Sequence, residues 1–239
     1  MRLDRPAGYL LVFFPASFGL LFSNNIFNNL NFIPYFFVAS ILIRSAGCVI
    51  NDIIDKDFDS RVNRTKGRVI ASNKITLREA LVLLFFLFLV SLYFLVNLST
   101  LSIKIGIVAF FMIITYPLMK RITYFPQIYL ALTFNLGCLI AYAAINNKIN
   151  FHVFMIYIAC CFWTFAYDTV YGFLDIDDDK KIGLKSTAIF FENRGYKSWL
   201  TISYLLFFVI FSINCYLNSY YLSSFSSLII FLFVLAKII

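Results

Sequence analysis

The chain has 239 residues, 62% of them hydrophobic and only 13% charged, with a mean hydropathy of +0.86. Apolar runs recur from end to end, which excludes a soluble domain of this size and implies a protein that lives in lipid. The formal charge of +8 does not point to nucleic acid, because the basic residues are placed as membrane topology places them.

A helix needs about 20 apolar residues to cross the hydrocarbon layer. Eight segments qualify as candidate spans: 7–23, 32–50, 79–97, 101–118, 127–145, 151–174, 199–217 and 221–239. The expected fold class is therefore all-α, a polytopic transmembrane helical bundle forming one domain over 1–239. Arg2, Asp4, Arg5 and Pro6 precede the first span without a small-residue cleavage site, so a removed signal peptide is not expected. Sixteen of the twenty Lys and Arg fall at the N-terminus, across 56–78, at 120–121 and across 180–197. The opposite loops hold only Lys104 and Lys148, which puts the N-terminus and the basic loops on the cytoplasmic side. No Arg-rich, acid-poor leader precedes the first span, which favours a bacterial inner membrane over a mitochondrion.

The longest polar connections are 51–78 and 175–198, and function should concentrate there. Cys48, Cys138, Cys160, Cys161 and Cys215 lie in apolar segments with no C-x-x-C spacing and are expected to be buried small hydrophobes. His152, the only histidine, follows a short polar turn and is expected to be solvated, without a functional role.

Nine of the twelve acidic residues form two runs, each closing an apolar stretch. Carboxylates at a bilayer edge repel one another and need cations between them. In N-D-I-I-D-K-D-F-D, a helical advance of about 100° per residue puts Asp52, Asp55 and Asp59 on one face beside Asn51, with Asp57 pointing away. In Y-D-T-V-Y-G-F-L-D-I-D-D-D, the stripe is Asp168, Tyr171, Asp175 and Asp179, bordered by Asp178, with Asp177 off the face. Oxygen-only ligands select hard cations, and Mg²⁺ typically shares its coordination between one or two carboxylates, water and substrate phosphates. A diphosphate substrate fits that chemistry. Arg61, Arg64, Lys66, Arg68, Lys120, Arg121, Lys180, Lys181 and Lys185 are candidates to hold the remaining phosphate charge. Arg44, about two turns before Asn51 on the same face, should point into the same cavity.

These strings together resemble the UbiA family of intramembrane aromatic prenyltransferases, most closely its 4-hydroxybenzoate polyprenyltransferase branch. The resemblance rests on R-L-D-R-P-A-G at 2–8, R-S-A-G-C-V-I-N-D-I-I-D-K-D-F-D at 44–59, R-T-K at 64–66, Y-P-L-M-K-R-I-T-Y-F-P-Q at 116–127, Y-D-T-V-Y at 167–171 and D-I-D-D-D-K-K-I-G-L-K-S-T-A at 175–188. It implies a bundle of nine helices around a central cavity, with Asn51, Asp52, Asp55 and Asp59 forming one Mg²⁺ and diphosphate site and Asp168, Asp175 and Asp179 a second. Arg64, Lys66, Lys120 and Lys185 match basic positions that hold diphosphate. The implied catalytic residues are the six aspartates, and the implied reaction moves a polyprenyl group from its diphosphate to the ring carbon ortho to the hydroxyl of 4-hydroxybenzoate, a ubiquinone biosynthesis step. In that reading Arg44 pairs with the benzoate carboxylate, and Tyr171 lies beside the substrate.

The chain departs from the family pattern in three places. Val69 and Ile70 follow Arg68 where Pro and Leu are usual, Glu192 follows Phe191 where Gly is usual, and about eight helices stand against nine, so the last family helix is expected to be lacking. Two rival expectations follow: a truncated, inactive relative, or a divalent-cation transporter using the acidic clusters as its pathway.

Overall fold

The computed structural model describes residues 1, 3–4, 6–24, 26–62 and 65–238, without the side chains of residues 26, 28, 237 and 238. The described residues are helical with connecting turns, and no strand occurs among them. The order is α1 (Pro6–Leu21), a short 3-10 turn (Ile26–Asn29), α2 (Phe32–Ile54), α3 (Lys56–Asp59), α4 (Leu77–Val96), α5 (Thr100–Ile122), α6 (Pro126–Phe134), α7 (Leu136–Asn146), α8 (Phe151–Gly172), α9 (Ile176–Lys181), α10 (Thr187–Phe191), α11 (Tyr196–Leu217) and α12 (Tyr221–Ile238). Six segments are long and apolar enough to cross a membrane, with α6 and α7 together making one of them; α1 and α12 are shorter apolar helices. All eight expected spans are thus helical. The fifth is broken at Asn135, whose side chain turns back to bond the carbonyl of Ala131 at 2.7 Å and the hydroxyl of Thr164 on α8 at 2.8 Å.

Within the membrane, helices are held by close packing and hydrogen bonds rather than by hydrophobic exclusion. Accordingly α1 meets α7 through small residues: a Cβ on Gly19 would stand 2.0 Å from the Cys138 carbonyl oxygen, and Gly137 faces Ala16. Further contacts join α1 to α2, α2 to α4, α7 to α5, α6 to α8, and α8 to α11. The α11–α12 pair is fastened by hydroxyls, Ser212 to Ser227 and Ser224 to the Ser212 carbonyl. His152 is not simply solvated. It is half-buried, and its Nδ1 lies 3.3 Å from Asn214 Oδ1, tying α8 to α11. Four of the cysteines are buried and Cys161 is half-buried, all as free thiols.

Entry into α4 is set by a capping box, in which the Thr76 hydroxyl accepts from the Glu79 amide and Glu79 accepts from the Thr76 amide. This ends the 60–76 connection firmly and returns the chain to the membrane beside α2. Outward faces of α4 and α5 are covered with exposed Phe, Leu and Val, as lipid contact requires.

Candidate active site

The first acidic run keeps helical register across a break. α2 ends at Ile54 and Asp55 caps it, yet the Asp55 amide still donates to the Asn51 carbonyl and the Asp59 amide to the Asp55 carbonyl. Asp52, Asp55 and Asp59 are consequently all buried, while Asp57 is exposed. The second run is not one continuous stripe. α8 stops at Gly172, and Asp175 precedes α9, so Asp168 and Tyr171 sit on one helix and Asp179 on the next. Asp177 is exposed, as its off-face position predicts.

Both runs nevertheless open into one cavity of about 670 Å³. Its lining includes Asn51, Asp55 and Asp59 from the first run, Asp168, Tyr171, Asp175, Asp178 and Asp179 from the second, and Arg44, Arg68, Lys120 and Lys185. Asp52 is adjacent rather than lining, with its carboxylate 3.4 Å from Arg68. Lys66 is exposed and outside the lining. Arg64 lies outside the described residues.

Cations stand against the carboxylates. Lys120 Nζ is 2.6 Å from Asp55 Oδ2, and Arg121 reaches Asp55 Oδ1 at 3.3 Å. Arg121 also donates to the Ile54 carbonyl at 2.9 Å and covers the Phe58 ring, so it caps the C-terminal end of α2 as well as pairing with Asp55. Arg68 bridges Asp59 at 2.5 Å and Asp52 at 3.4 Å. Burial nonetheless pushes the Asp59 carboxyl above its ordinary pKa, against the pull of Arg68.

Arg44 lies where the sequence put it. Its Nε is buried without a hydrogen-bond partner, and its guanidinium stands 5.7 Å from the Phe134 ring centroid. Gly8 makes this possible, since a Cβ there would come within 2.9 Å of Arg44 Nε. A buried guanidinium nitrogen without an acceptor is costly to leave so, and Arg44 is therefore a candidate to bind a substrate oxygen.

Lys185 is placed by backbone: its amide donates to the Lys120 carbonyl at 2.8 Å and its Nζ to the Ile122 carbonyl at 3.1 Å. Gln127, not singled out from sequence, lines the cavity and accepts from the Thr187 amide at 3.1 Å, fixing the 183–187 segment that carries Lys185. Tyr116 and Tyr167 also line the cavity and were not singled out. Tyr116 opens the Y-P-L-M-K-R string and stands one helical turn before Lys120, a spacing that could have revealed it.

The donor set fits a hard divalent cation, being carboxylate and amide oxygens facing one cavity. Among the described residues no three His, Cys, Asp or Glu are gathered into a ready-made cage. Lys120, Arg121 and Arg68 stand against three of the carboxylates instead.

An acid- and base-lined cavity within an all-helical bundle of membrane-length apolar helices marks an integral membrane protein with the makings of an active site. The chain belongs to the UbiA prenyltransferase family, whose sequence pattern matches residues 12–239. It is 36% identical over 223 residues to a 4-hydroxybenzoate octaprenyltransferase of Francisella tularensis subsp. mediasiatica, covering 92% of this chain and 78% of that one. It is 40% identical over 191 residues to the enzyme of the same name from Neisseria meningitidis serogroup C, covering 80% of this chain and 64% of the relative. Its fold is similar to that of a UbiA homolog from Archaeoglobus fulgidus bound to GPP and Mg²⁺, with a TM-score of 0.77 at 18% identity over 99% of this chain and 85% of the other.

Proposed function

We propose that this chain transfers an all-trans polyprenyl group from polyprenyl diphosphate to the ring carbon of 4-hydroxybenzoate ortho to its hydroxyl, a step of ubiquinone biosynthesis. Family membership and the names of the relatives support the reaction class. The observation that carries the assignment is the single cavity with acids and cations at its rim and Arg44, whose buried Nε has no hydrogen-bond partner, farther in along α2.

Asn51, Asp52, Asp55, Asp59, Asp168, Asp175 and Asp179 would hold Mg²⁺, which when bound neutralises charge developing on the leaving diphosphate. Lys120, Lys185 and Arg68 bind the phosphate oxygens that remain, and the family pattern assigns Arg64 and Lys66 to the same phosphate. Arg44 takes the benzoate carboxylate, with Tyr171 beside the substrate. The allylic carbon–oxygen bond breaks, its electron pair leaving on the diphosphate. The phenol-activated ring carbon then forms the new carbon–carbon bond, and its proton passes to a rim carboxylate or to the released diphosphate. Enclosure by apolar helices keeps water from the allylic cation.

The family seat is the membrane; a bacterial inner membrane with the acidic rim facing the cytoplasm is the arrangement that the basic loops support. Membranes carrying the full chain, given labelled 4-hydroxybenzoate and polyprenyl diphosphate, should form prenylated product only with Mg²⁺, and an Asp55→Asn variant should form little. Product that persists without divalent cation, or in that variant, contradicts the assignment.

A further inference from the structure

The segment 184–188 is tied by hydrogen bonds to α5, α6, α8 and α9. The Leu184 amide donates to the Asp179 carbonyl on α9 at 2.9 Å, and the Lys185 amide to the Lys120 carbonyl on α5 at 2.8 Å. The Thr187 amide donates to Gln127 Oε1 on α6 at 3.1 Å. The Thr187 hydroxyl meets that of Thr169 on α8 at 2.8 Å. Thr169 spends its one hydroxyl proton on the Phe165 carbonyl, at 2.7 Å, so Thr187 is the donor between the two.

Two of these ties run from backbone to backbone and do not depend on side chains. The other two depend on Gln127, Thr187 and Thr169, which are 6%, 0% and 1% exposed. Water therefore cannot stand in for a lost partner unless the segment moves. The segment is also seated against the end of α8, where a Cβ on Gly172 would stand 3.3 Å from the Ala188 Cβ and 3.6 Å from Gln127 Nε2.

Lys185 is the charged residue that this segment presents to the cavity. Its Nζ bonds the Ile122 carbonyl at 3.1 Å, using one of its three donors. A long side chain holds a phosphate well only when its backbone is fixed, and the Lys185 backbone is held by its own amide and, two residues on, by the Thr187 amide. We infer that Gln127 is a positioning residue for the diphosphate of the donor, acting through the Thr187 amide on Lys185, and that the Thr187–Thr169 hydroxyl pair braces the same point from α8. This rests on the proposed function for the role of Lys185. Gln127 lines the cavity itself, so the rival is a Gln127 that binds the diphosphate directly. The two differ in one respect: a residue acting through Lys185 has nothing left to act on once Lys185 is gone.

The test uses the purified full chain in detergent, with inorganic pyrophosphate and Mg²⁺ as the probe, titrated calorimetrically into the unaltered protein, Gln127→Met, Lys185→Met and the double variant. Met keeps the length of Gln127 and removes the acceptor. Each single variant should bind about tenfold more weakly, and the double variant should fall within about twofold of Lys185→Met alone. Losses that multiply overturn the inference, because Gln127 then acts on the phosphate by itself. Unweakened binding by Gln127→Met overturns it too. Should Gln127→Met fail to fold, the same cycle is run with Thr187→Val, which should cost about threefold with Lys185 present and nothing further without it. Thr187→Ser keeps the hydroxyl and should bind as the unaltered protein does; equal binding by the Val and Ser variants overturns the brace. In membranes, Gln127→Met should raise KM for polyprenyl diphosphate about tenfold and leave KM for 4-hydroxybenzoate unchanged, a split that a general loss of structure does not produce. An equal rise in both counts against a positioning role. Coupled loss of pyrophosphate binding in a chain that forms no prenylated product would sink the proposed reaction and leave the positioning role standing.

Discussion

Replacing Gly8 with Ala tests whether Arg44 serves the aromatic acid. The added Cβ would stand 2.9 Å from Arg44 Nε and 3.5 Å from Nη2, against at least 3.4 Å for ordinary contact, so the guanidinium must retreat by about 0.5 Å. The obstacle is the end of a flexible side chain rather than backbone, so the bundle itself should be little disturbed. A hydrogen bond to a charged group is worth about 1.5–3 kcal/mol, and displacing the donor by this distance should forfeit about half. That corresponds to a rise of about four- to twelvefold in KM for 4-hydroxybenzoate. Steady-state turnover in membranes, varying each substrate in turn, should show this rise with KM for the polyprenyl diphosphate unchanged. Arg44→Leu should produce a larger rise, and Arg44→Lys should restore little of it because a point charge does not replace the planar fork. An unaltered KM for the acid in both Gly8→Ala and Arg44→Leu refutes the assignment of Arg44.

Three other outcomes follow from the same contacts. Lys120→Met should lower stability by about 2 kcal/mol, below the usual cost of breaking a buried pair because Arg121 still reaches Asp55; adding Asp55→Asn should recover most of the unfolding midpoint in detergent, and a further fall would show the pair is not the cause. Gly19→Leu should separate α1 from α7, since even a Cβ meets the Cys138 carbonyl at 2.0 Å; a thermal midpoint equal to that of the unaltered protein would be inconsistent with this packing. Burial raises the Asp59 pKa, so the folded protein retains a proton that the unfolded chain has already lost. Stability without divalent cation should therefore fall as pH rises from the ordinary carboxylate range through the raised pKa, then level off. Thermal midpoints of Asp59→Asn should lack that fall, and a parallel profile for the two proteins would assign it elsewhere.

Much of this site was legible in the sequence because helical periodicity survives local breaks. Asn51, Asp55 and Asp59 stay in register although α2 ends between them, since the i to i+4 bonds continue through the cap. Arg44 was found by the same arithmetic. The second run shows where periodicity fails: after Gly172 the chain turns before α9, so Asp175 and Asp179 reach the cavity by a change of direction that spacing cannot encode. Gln127 escaped notice because its importance lies in a bond to the Thr187 amide, sixty residues away in sequence. His152 looked solvated for a similar reason, as its partner Asn214 is on a helix that sequence gives no means of placing beside it.

The resting ion pairs explain how buried acids persist at a bilayer edge before any substrate arrives. Asp55, at 2% exposure, would be costly as a lone charge, and Lys120 with Arg121 supplies the compensation. Arg68 does the same for Asp52 and Asp59. On the proposed function, a diphosphate entering with divalent cations would bring both signs of charge at once, so each resting pair would be exchanged for two new ones: carboxylate to metal, and Lys or Arg to phosphate. Neither partner is then left unpaired in a poorly solvated place. A phosphate without the metal offers no such exchange, because it competes with Asp55 and Asp59 for the same cations and leaves those carboxylates bare. Donor binding and metal binding should therefore reinforce each other, and the reinforcement should be weakest where the resting pairs have been removed. Asp55→Asn with Lys120→Met is the variant in which titration of donor at increasing Mg²⁺ should show the smallest gain in affinity; a gain as large as in the unaltered chain would mean the pairs are bystanders.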